Sequence, residues 1–216
     1  GGGEGGAGGG GGGGWWPKRA TGRGAGGVVA VGARRSARGR GVGGGRQRLV
    51  VGDEDVGRPG NGGEISRAAD AVGADAVIAV GGTDLFNPNV IRASIGTIFS
   101  VPVAAGSADE VIAWLGAAGL RIVASRVDAA ALHVDVDLSG PIAIVLGSEA
   151  DGLSDAWRSP TIAGVRLPML GTADSLNVSA AAAVLLYQAR RQRPGPAQAA
   201  ARRARRRVRT PSSPPP

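Results

Sequence analysis

The stretch Ile142-Ala-Ile-Val-Leu-Gly-Ser-Glu-Ala-Asp-Gly-Leu-Ser154 holds five consecutive apolar residues and then turns at once to glycine and acid. An apolar run without polar alternation is typical of a strand that is buried on both faces. Similar runs at 49–51, 76–80 and 120–124 are separated by helical periodicity, as at 64–72. This order predicts an α/β domain with a mostly parallel sheet flanked by helices.

Composition divides the 216 residues into three parts. Residues 1–47 are rich in Gly and Arg and carry a net charge of +7, which predicts a disordered extension. Residues 48–190 are expected to form the folded domain, and 48–189 carry a net charge of −8. Residues 191–216 are rich in Arg and Pro, and the last 27 residues carry +9, which predicts a disordered tail. The two basic arms are either plain extensions or nonspecific nucleic-acid-binding segments.

Residue counts exclude several classes of site. The chain has no Cys, so disulfides, Cys-ligated zinc and iron–sulfur clusters are excluded. A single His, His133, excludes a multi-His metal site, and we expect no metal. No apolar run reaches the ~18–20 residues of a membrane span, and the N-terminus lacks the features of a signal peptide. We therefore expect a cytoplasmic protein without a membrane partner.

The first of three notable loops is Pro59-Gly-Asn-Gly-Gly-Glu-Ile-Ser-Arg67, which leads from a strand into a helix. Ligands of open parallel sheets bind beyond the carboxyl ends of the strands, where this loop is expected. Arg67 is expected one turn inside the helix, where a positive charge opposes the helix dipole. Such a residue indicates an anionic partner such as an RNA phosphate, and a surface pair with Asp70 is the alternative.

The second loop is the 146–154 segment, in which glycines flank Glu149 directly after a buried strand. The third, 168–179, follows a strand that ends at Pro168, and either Asp174 or Ser175 is expected to cap the final helix. The main-chain groups of this third loop are suited to holding an adenine ring, although a capping motif alone would also explain it.

Together the three loops resemble the three motifs of the SpoU-type RNA 2′-O-ribose methyltransferases, a branch of the SPOUT superfamily. The resemblance covers residues 48–190, and Glu149 and Ser175 keep the family's separation. The residues that carry it are Asn61 and Arg67 in the first motif, Gly147, Glu149, Gly152 and Leu153 in the second, and Pro168, Met169, Ser175, Leu176, Asn177 and Ser179 in the third.

The resemblance implies a C-terminal deep trefoil knot and a homodimer with its active site at the interface. The apolar helix at 176–187 is a candidate for that interface, and a role in the internal core would explain its composition equally well. It implies S-adenosyl-L-methionine as the cofactor, held largely by backbone groups around Leu146, Gly147, Leu167, Met169, Ser175 and Leu176. It also implies transfer of a methyl group to a ribose 2′-hydroxyl, without a metal.

By the same resemblance Arg67 is the activating residue, and Asn61, Glu149, Ser175 and Asn177 orient it and the ribose. A guanidinium is not normally deprotonated in proteins, so anchoring a phosphate and stabilising the developing alkoxide are physically easier roles for Arg67. The expected partner is RNA, with ribosomal RNA favoured over transfer RNA.

Two positions depart from the family pattern. Gly62 stands where the family usually has an aliphatic residue, and Glu64 stands where a small or aliphatic residue is usual. Glu64 lies three residues before Arg67 and is a candidate to pair with it. The alternative function is therefore a catalytically silent RNA-binding module that keeps the fold. A phosphate-loop nucleotide-binding protein is excluded because the only lysine is Lys18.

Overall fold

The computed structural model describes residues 48–82 and 84–194. The predicted extension at 1–47 lies outside these residues, as does most of the predicted tail at 191–216. Within the described residues, no helix has the length and apolar character that a membrane crossing requires.

The described residues contain seven strands, β1 (Leu49–Glu54), β2 (Ala76–Val80), β3 (Val103–Gly106), β4 (Arg121–Ser125), β5 (Ala131–Leu132), β6 (Ile142–Leu146) and β7 (Ala163–Arg166). They form one sheet in the order β3-β2-β1-β6-β4-β7-β5, and every strand pair among the described residues is parallel. The predicted α/β fold with a parallel sheet is thereby confirmed.

Among the described residues, four α-helices cover the sheet: α1 (Pro59–Val72), α2 (Pro88–Ala93), α3 (Ala108–Ala117) and α4 (Val178–Arg191). Short 3₁₀ turns lie at Thr97–Phe99 and Asp155–Arg158. Two helix ends follow directly from sequence. The helix α3 begins with a complete capping box in which Ser107 and Glu110 satisfy each other's backbone amides. The helix α1 ends at Gly73, which adopts the left-handed conformation with φ of 72°.

Alternate residues of the central strands enter two separate cores. Val51 of β1 belongs to the core under α1 and α4, and its neighbour Val50 belongs to the core under α3. Leu185 and Leu186 of α4 are fully buried in the first core, and burial of each stabilises the fold by roughly 1.5–3 kcal/mol. Both faces of the sheet are thus covered, which explains why the strands read as continuous apolar runs.

The register of the two central strands determines where the site forms. In the parallel pair of β1 and β6, Asp53 lies opposite Leu146. The segments that follow these two strands therefore leave the sheet side by side. This brings the first and second predicted loops together, although about 90 residues separate them in sequence.

Helix α1 begins earlier than its apolar periodicity predicts. Its first residue is Pro59, so most of the expected loop is helical. Proline is favoured at the first helical position because its fixed φ suits the helix and its missing N–H has no partner there. The expectation that Arg67 lies one turn inside α1 was therefore wrong. Arg67 follows the second turn, beyond the reach of the dipole at the helix start.

The folded unit also extends past the boundary predicted at residue 190. Arg191 still belongs to α4, and Arg193 is buried. The Arg193 guanidinium donates hydrogen bonds to the carbonyl oxygens of Ala189 at 2.9 Å and Gly140 at 2.8 Å. Burial lowers its pKa to about 10. This buried side chain fastens the end of α4 to the amino-terminal edge of the sheet.

Candidate active site

Glu149 lies at the centre of a polar cluster in which all three predicted loops meet. Its Oε1 accepts hydrogen bonds from Asn61 Nδ2 at 3.1 Å, Asn177 Nδ2 at 2.5 Å and the Val178 amide at 3.3 Å. Asn177 Nδ2 also lies 3.0 Å from Asn61 Oδ1. Each of the three side chains contacts the other two, and we call this cluster the Asn–Glu–Asn triad (Asn61, Glu149 and Asn177).

Asn177 reaches the triad because it is the N-cap of α4. Its Oδ1 accepts from the amides of Ser179 and Ala180, which leaves its Nδ2 free to donate to the triad. The expectation that Asp174 or Ser175 caps this helix was wrong. The helix begins later than its apolar pattern does, so the residue at 177 meets the free amides.

The loop that carries Glu149 is closed on itself. Ser148 and Gly152 form an antiparallel bridge with N···O distances of 3.2 Å and 3.0 Å. A side chain on Gly147 would overlap the backbone of Gly152 and Leu153, so only glycine permits this close approach. Gly152 itself has a φ of +70°, which other residues rarely adopt. These two glycines hold Glu149 beyond the end of β6.

A second contact fastens the same loop to β1. Both carboxylate oxygens of the buried Glu54 accept from Ser154, Oε2 from its amide at 2.7 Å and Oε1 from its hydroxyl at 2.8 Å. Neither the role of Glu54 nor that of Ser154 was found by sequence reasoning. The signal was present, because an acid at the last position of a buried strand requires a partner.

A cleft of about 390 Å³ opens beside the triad, at the carboxyl ends of β4, β6 and β7. Its volume lies within the ~300–1,000 Å³ range of small-molecule sites. Its lining includes every residue that the family resemblance assigned to the cofactor: Leu146, Gly147, Leu167, Met169, Ser175 and Leu176. Glu149 lines the cleft as well, and so connects it to the triad.

Charged residues on the cleft rim were missed by sequence reasoning. Arg126 Nε donates to Asp128 Oδ1 at 2.9 Å, and Arg158 Nη1 donates to Asp128 Oδ2 at 2.7 Å. The hydrogen bonds from Arg158 and Arg126 lower the pKa of the Asp128 carboxyl. Arg126 directly follows β4 and Arg166 ends β7, positions that the rule on strand ends would have identified.

Arg67 does not join the other predicted catalytic residues. It is exposed on α1, and no hydrogen bond or ion pair links it to the residues that the structure describes. Six residues separate it from Asn61, which corresponds to about 9 Å along the helix and roughly a third of a turn around it. In this single chain, the structure thus places Arg67 outside the cleft lining.

Neither of the two alternative pairings of Arg67, with Glu64 or with Asp70, forms among the described residues. Glu64 accepts a 2.5 Å hydrogen bond from the Ser179 hydroxyl instead of pairing with Arg67. The ion pairs of the described residues do not include one between Arg67 and Asp70. Ser179 Oγ also lies 2.6 Å from Asn177 Oδ1, so Glu64 borders the triad. Within the described residues, the guanidinium of Arg67 therefore remains available for a further partner.

Comparison with known proteins gives consistent results. The SpoU rRNA Methylase family matches residues 48–187. A 23S rRNA (uridine(2479)-2′-O)-methyltransferase of Streptomyces viridochromogenes is 42% identical over 145 residues, which cover 62% of this chain and 50% of that protein. A 23S rRNA (guanosine(2553)-2′-O)-methyltransferase of Bacillus subtilis (strain 168) is 34% identical over 144 residues, covering 66% and 58%.

The fold is also similar to that of a solved enzyme. The crystal structure of the SpoU methyltransferase AviRb from Streptomyces viridochromogenes in complex with AdoMet matches with a TM-score of 0.64 and 37% identity. The match covers 68% of this chain and 57% of that one. This chain thus spans between half and three fifths of the length of these relatives.

Proposed function

The chain belongs to the SpoU rRNA Methylase family, and from that premise we propose that it transfers a methyl group from S-adenosyl-L-methionine to a ribose 2′-hydroxyl of RNA. Ribosomal RNA is favoured over transfer RNA because the two relatives described above are named for 23S rRNA. We retain the prediction of a cytoplasmic location, where such an RNA would be met.

The observation that carries the proposal is the Asn–Glu–Asn triad at the mouth of the cleft. Three residues that sequence reasoning named for orienting the ribose come from three distant segments and bond directly to one another. A hydroxyl held by such groups is fixed in orientation, and orientation alone is worth several kcal/mol of an activation barrier.

The cleft fits the proposed cofactor. S-adenosyl-L-methionine, when bound, supplies an electrophilic methyl group on a sulfonium sulfur. Leu146, Leu167, Met169 and Leu176 offer an apolar wall, and Gly147 and Ser175 leave main-chain groups accessible beside it. The family resemblance further implies that the segment between β7 and α4 threads a trefoil knot around this cleft, and we include the knot in the proposal.

A homodimer would bring Arg67 of one copy to the cleft of the other. Because Arg67 is exposed and lies away from the cleft of its own chain, we propose that it serves the cleft of a second copy. There it anchors an RNA phosphate and stabilises the developing alkoxide of the ribose. Val184 and Tyr187 support this arrangement, since they are 41% and 56% exposed on α4 and offer apolar surface to a partner.

The test is methyl transfer by the full-length chain. The protein is incubated with methyl-labelled S-adenosyl-L-methionine and, separately, with unmodified ribosomal and transfer RNA. Label in ribosomal RNA that is resistant to alkali at the modified linkage supports ribose methylation. Absence of label from both pools, with binding of both the cofactor and RNA intact, would instead support the catalytically silent RNA-binding module.

The matched variants are Arg67→Ala and Arg121→Ala. Arg67→Ala should abolish transfer and retain cofactor affinity within about twofold, because the residue lies outside the cleft. Arg121→Ala removes an exposed charge from the first residue of β4, at the edge of the sheet opposite the cleft, and should transfer normally. Substantial turnover by Arg67→Ala would move the activating role to another residue.

A further inference from the structure

A second pocket, separate from the cofactor cleft, lies on the other side of the first turn of α1. We call it the acidic pocket. It has a volume of about 320 Å³. Its lining consists of Asp55, Val56, Gly57, Pro59, Gly62, Gly82, Asp84, Asn87 and Val90. Proposed as part of the RNA-binding surface, this pocket would contribute to substrate choice.

A buried carboxyl lies beneath the floor of the acidic pocket. Asp53 is 0% exposed, and neither of its carboxylate oxygens has a hydrogen-bond partner within the described residues. Burial, reinforced by the charge of Asp55, raises its pKa to about 7. An unpartnered buried carboxyl is costly to stability, so its presence calls for a functional explanation.

The gap between Asp53 and the pocket is the missing side chain of residue 62. A Cβ on Gly62 would lie 3.9 Å from Asp53 Oδ2 and 3.9 Å from Val90 Cγ1, at ordinary contact distance. The Gly62 position therefore lies between the pocket and Asp53, whose carboxylate oxygens are enclosed. Any charge on Asp53 acts on the pocket at short range without contacting a ligand.

Two more carboxylates at the rim each keep one oxygen free for a ligand, as far as the described contacts extend. Asp55 Oδ1 accepts from the Gly82 amide at 3.1 Å, and Asp84 Oδ1 accepts from the Phe86 amide at 3.0 Å. Asp55 has a φ of +48°, an unfavourable conformation for a residue other than glycine. These hydrogen bonds hold both carboxylates at the pocket, and for Asp55 they do so in spite of its strained backbone.

The lining limits the chemistry of the ligand. Its lining includes two acids, Asp55 and Asp84, and its described residues include no Lys or Arg, so an anion such as phosphate is excluded by repulsion. Asp53 is enclosed behind Gly62 and adds to this repulsion when it is charged. The described residues also contain no group of His, Cys, Asp and Glu arranged to hold a metal ion. The pocket instead suits a flat group that donates hydrogen bonds and packs against Pro59 and Val90.

The position of the pocket relates it to the target nucleotide. Pro59 and Gly62, which line it, lie on either side of Asn61 in the same helical turn. Asn61 belongs to the triad that is proposed to orient the ribose. A nucleotide whose sugar contacts Asn61 can therefore place its base in the acidic pocket once that base is unstacked.

Among the four bases, guanine matches carboxylates best. Its N1–H and N2–H₂ donors lie side by side and can meet the two oxygens of one carboxylate, or two carboxylates at once. On the Watson–Crick edge, uracil, adenine and cytosine each place a hydrogen-bond acceptor beside their single donor group, and a carboxylate repels that acceptor. We propose that the acidic pocket binds the base of the target nucleotide and that this base is guanine, an inference that rests on the proposed function.

The first test identifies the methylated nucleoside. RNA labelled by the full-length chain is digested to nucleosides, which are separated by chromatography. The expected product is 2′-O-methylguanosine. Label in 2′-O-methyluridine, 2′-O-methyladenosine or 2′-O-methylcytidine overturns the pocket assignment and leaves the methyltransferase proposal standing. Absence of any label overturns both.

The second test uses a short RNA containing the mapped site, with guanosine or inosine at the target. Inosine keeps N1–H and lacks the N2 amino group, so kcat/KM should fall by about 5- to 150-fold, the equivalent of ~1–3 kcal/mol. In Asp84→Asn and Asp53→Asn the guanosine-to-inosine ratio should move toward one. In the control Asp70→Asn, an exposed acid of α1 outside the pocket, it should not change.

A ratio that stays at the parent value in both pocket variants would overturn the proposal, whatever their overall activity. Because the readout is a ratio of two substrates for the same variant, partial misfolding does not affect it.

Discussion

Asn177 donates a 2.5 Å hydrogen bond to Glu149 from the same side chain that caps α4. Its amide oxygen accepts hydrogen bonds from the free backbone amides at the start of the helix, and its amide nitrogen donates to the Glu149 carboxylate. One residue thus couples the position of a helix to the geometry of the triad. The two tasks are done by two atoms because an amide carries its acceptor and its donor separately, whereas a hydroxyl has both on a single oxygen.

The two tasks of Asn177 can be separated by substitution. Asn177→Ser retains a capping oxygen and loses the separate amide nitrogen that reaches Glu149, so its free energy of unfolding should stay within about 1 kcal/mol of the parent. Methyl transfer should fall by roughly 100-fold because the triad loses its orientation. Asn177→Ala should be less stable than the serine variant by a further ~1 kcal/mol. Normal turnover by Asn177→Ser would reduce the residue to a helix cap.

Gly147→Ala should disrupt the cofactor cleft. The added methyl group would overlap the backbone of Gly152 and Leu153, so the loop must move, at a cost of ~1–3 kcal/mol. Calorimetric titration should show at least a tenfold loss of cofactor affinity. Gly116→Ala in α3 is the control, because nothing lies within 4 Å of its new methyl group. It should bind normally and gain ~0.5–1 kcal/mol in stability.

Mixing two inactive variants tests whether Arg67 acts on a second copy. Arg67→Ala retains Glu149, and Glu149→Gln retains Arg67. If Arg67 serves the partner's cleft, each mixed dimer of co-refolded subunits contains one complete site, and about a quarter of the parent activity should return. A mixture as inactive as its components would place both residues in the same subunit's site, or show that no dimer forms.

Asp53 should make stability depend on pH. Its pKa is near 7 in the folded chain and 3.8 in the reference state, so the folded state holds the proton more tightly. The resulting stabilisation is fully present below about pH 4 and is lost as the pH rises through 7. The charge then costs on the order of 4 kcal/mol.

Asp53→Asn should therefore be more stable than the parent at pH 8, and the difference should shrink steadily toward pH 4. Denaturant unfolding at several pH values measures it. Asp70→Asn removes a surface charge and should change stability by less than about 0.5 kcal/mol at pH 8. An Asp53→Asn difference that does not vary with pH would show that the carboxyl is not neutralised on burial.

Removal of residues 195–216 tests the basic tail. The cut leaves Arg193 in place, because its hydrogen bonds fasten α4 to the sheet. The deletion removes six arginines, so RNA affinity and its dependence on salt concentration should both fall. Cofactor affinity should stay unchanged. RNA binding equal to that of the full chain would leave recognition to the folded domain alone.

Apolar patterning was sufficient to predict the parallel sheet and the approximate position of most helices. Buried strands such as Ile142–Leu146 have no polar face, and local signals such as the capping box at Ser107 act within one turn. The first residues of the helices were harder to predict from the sequence. Pro59 and Asn177 begin helices outside the apolar pattern, because the first turn is satisfied by capping groups instead of by burial.

The sequence by itself determined the α/β class, the three loops and the residue types that their chemistry needs. These depend on local periodicity and on which side chains can donate or accept a proton or a hydrogen bond. Only the tertiary structure decided that Asn61, Glu149 and Asn177 bond to one another, that Arg67 stands apart, and that Asp53 is buried without a partner. Those outcomes depend on strand register and helix packing, which join residues about a hundred positions apart and leave no local trace in the chain.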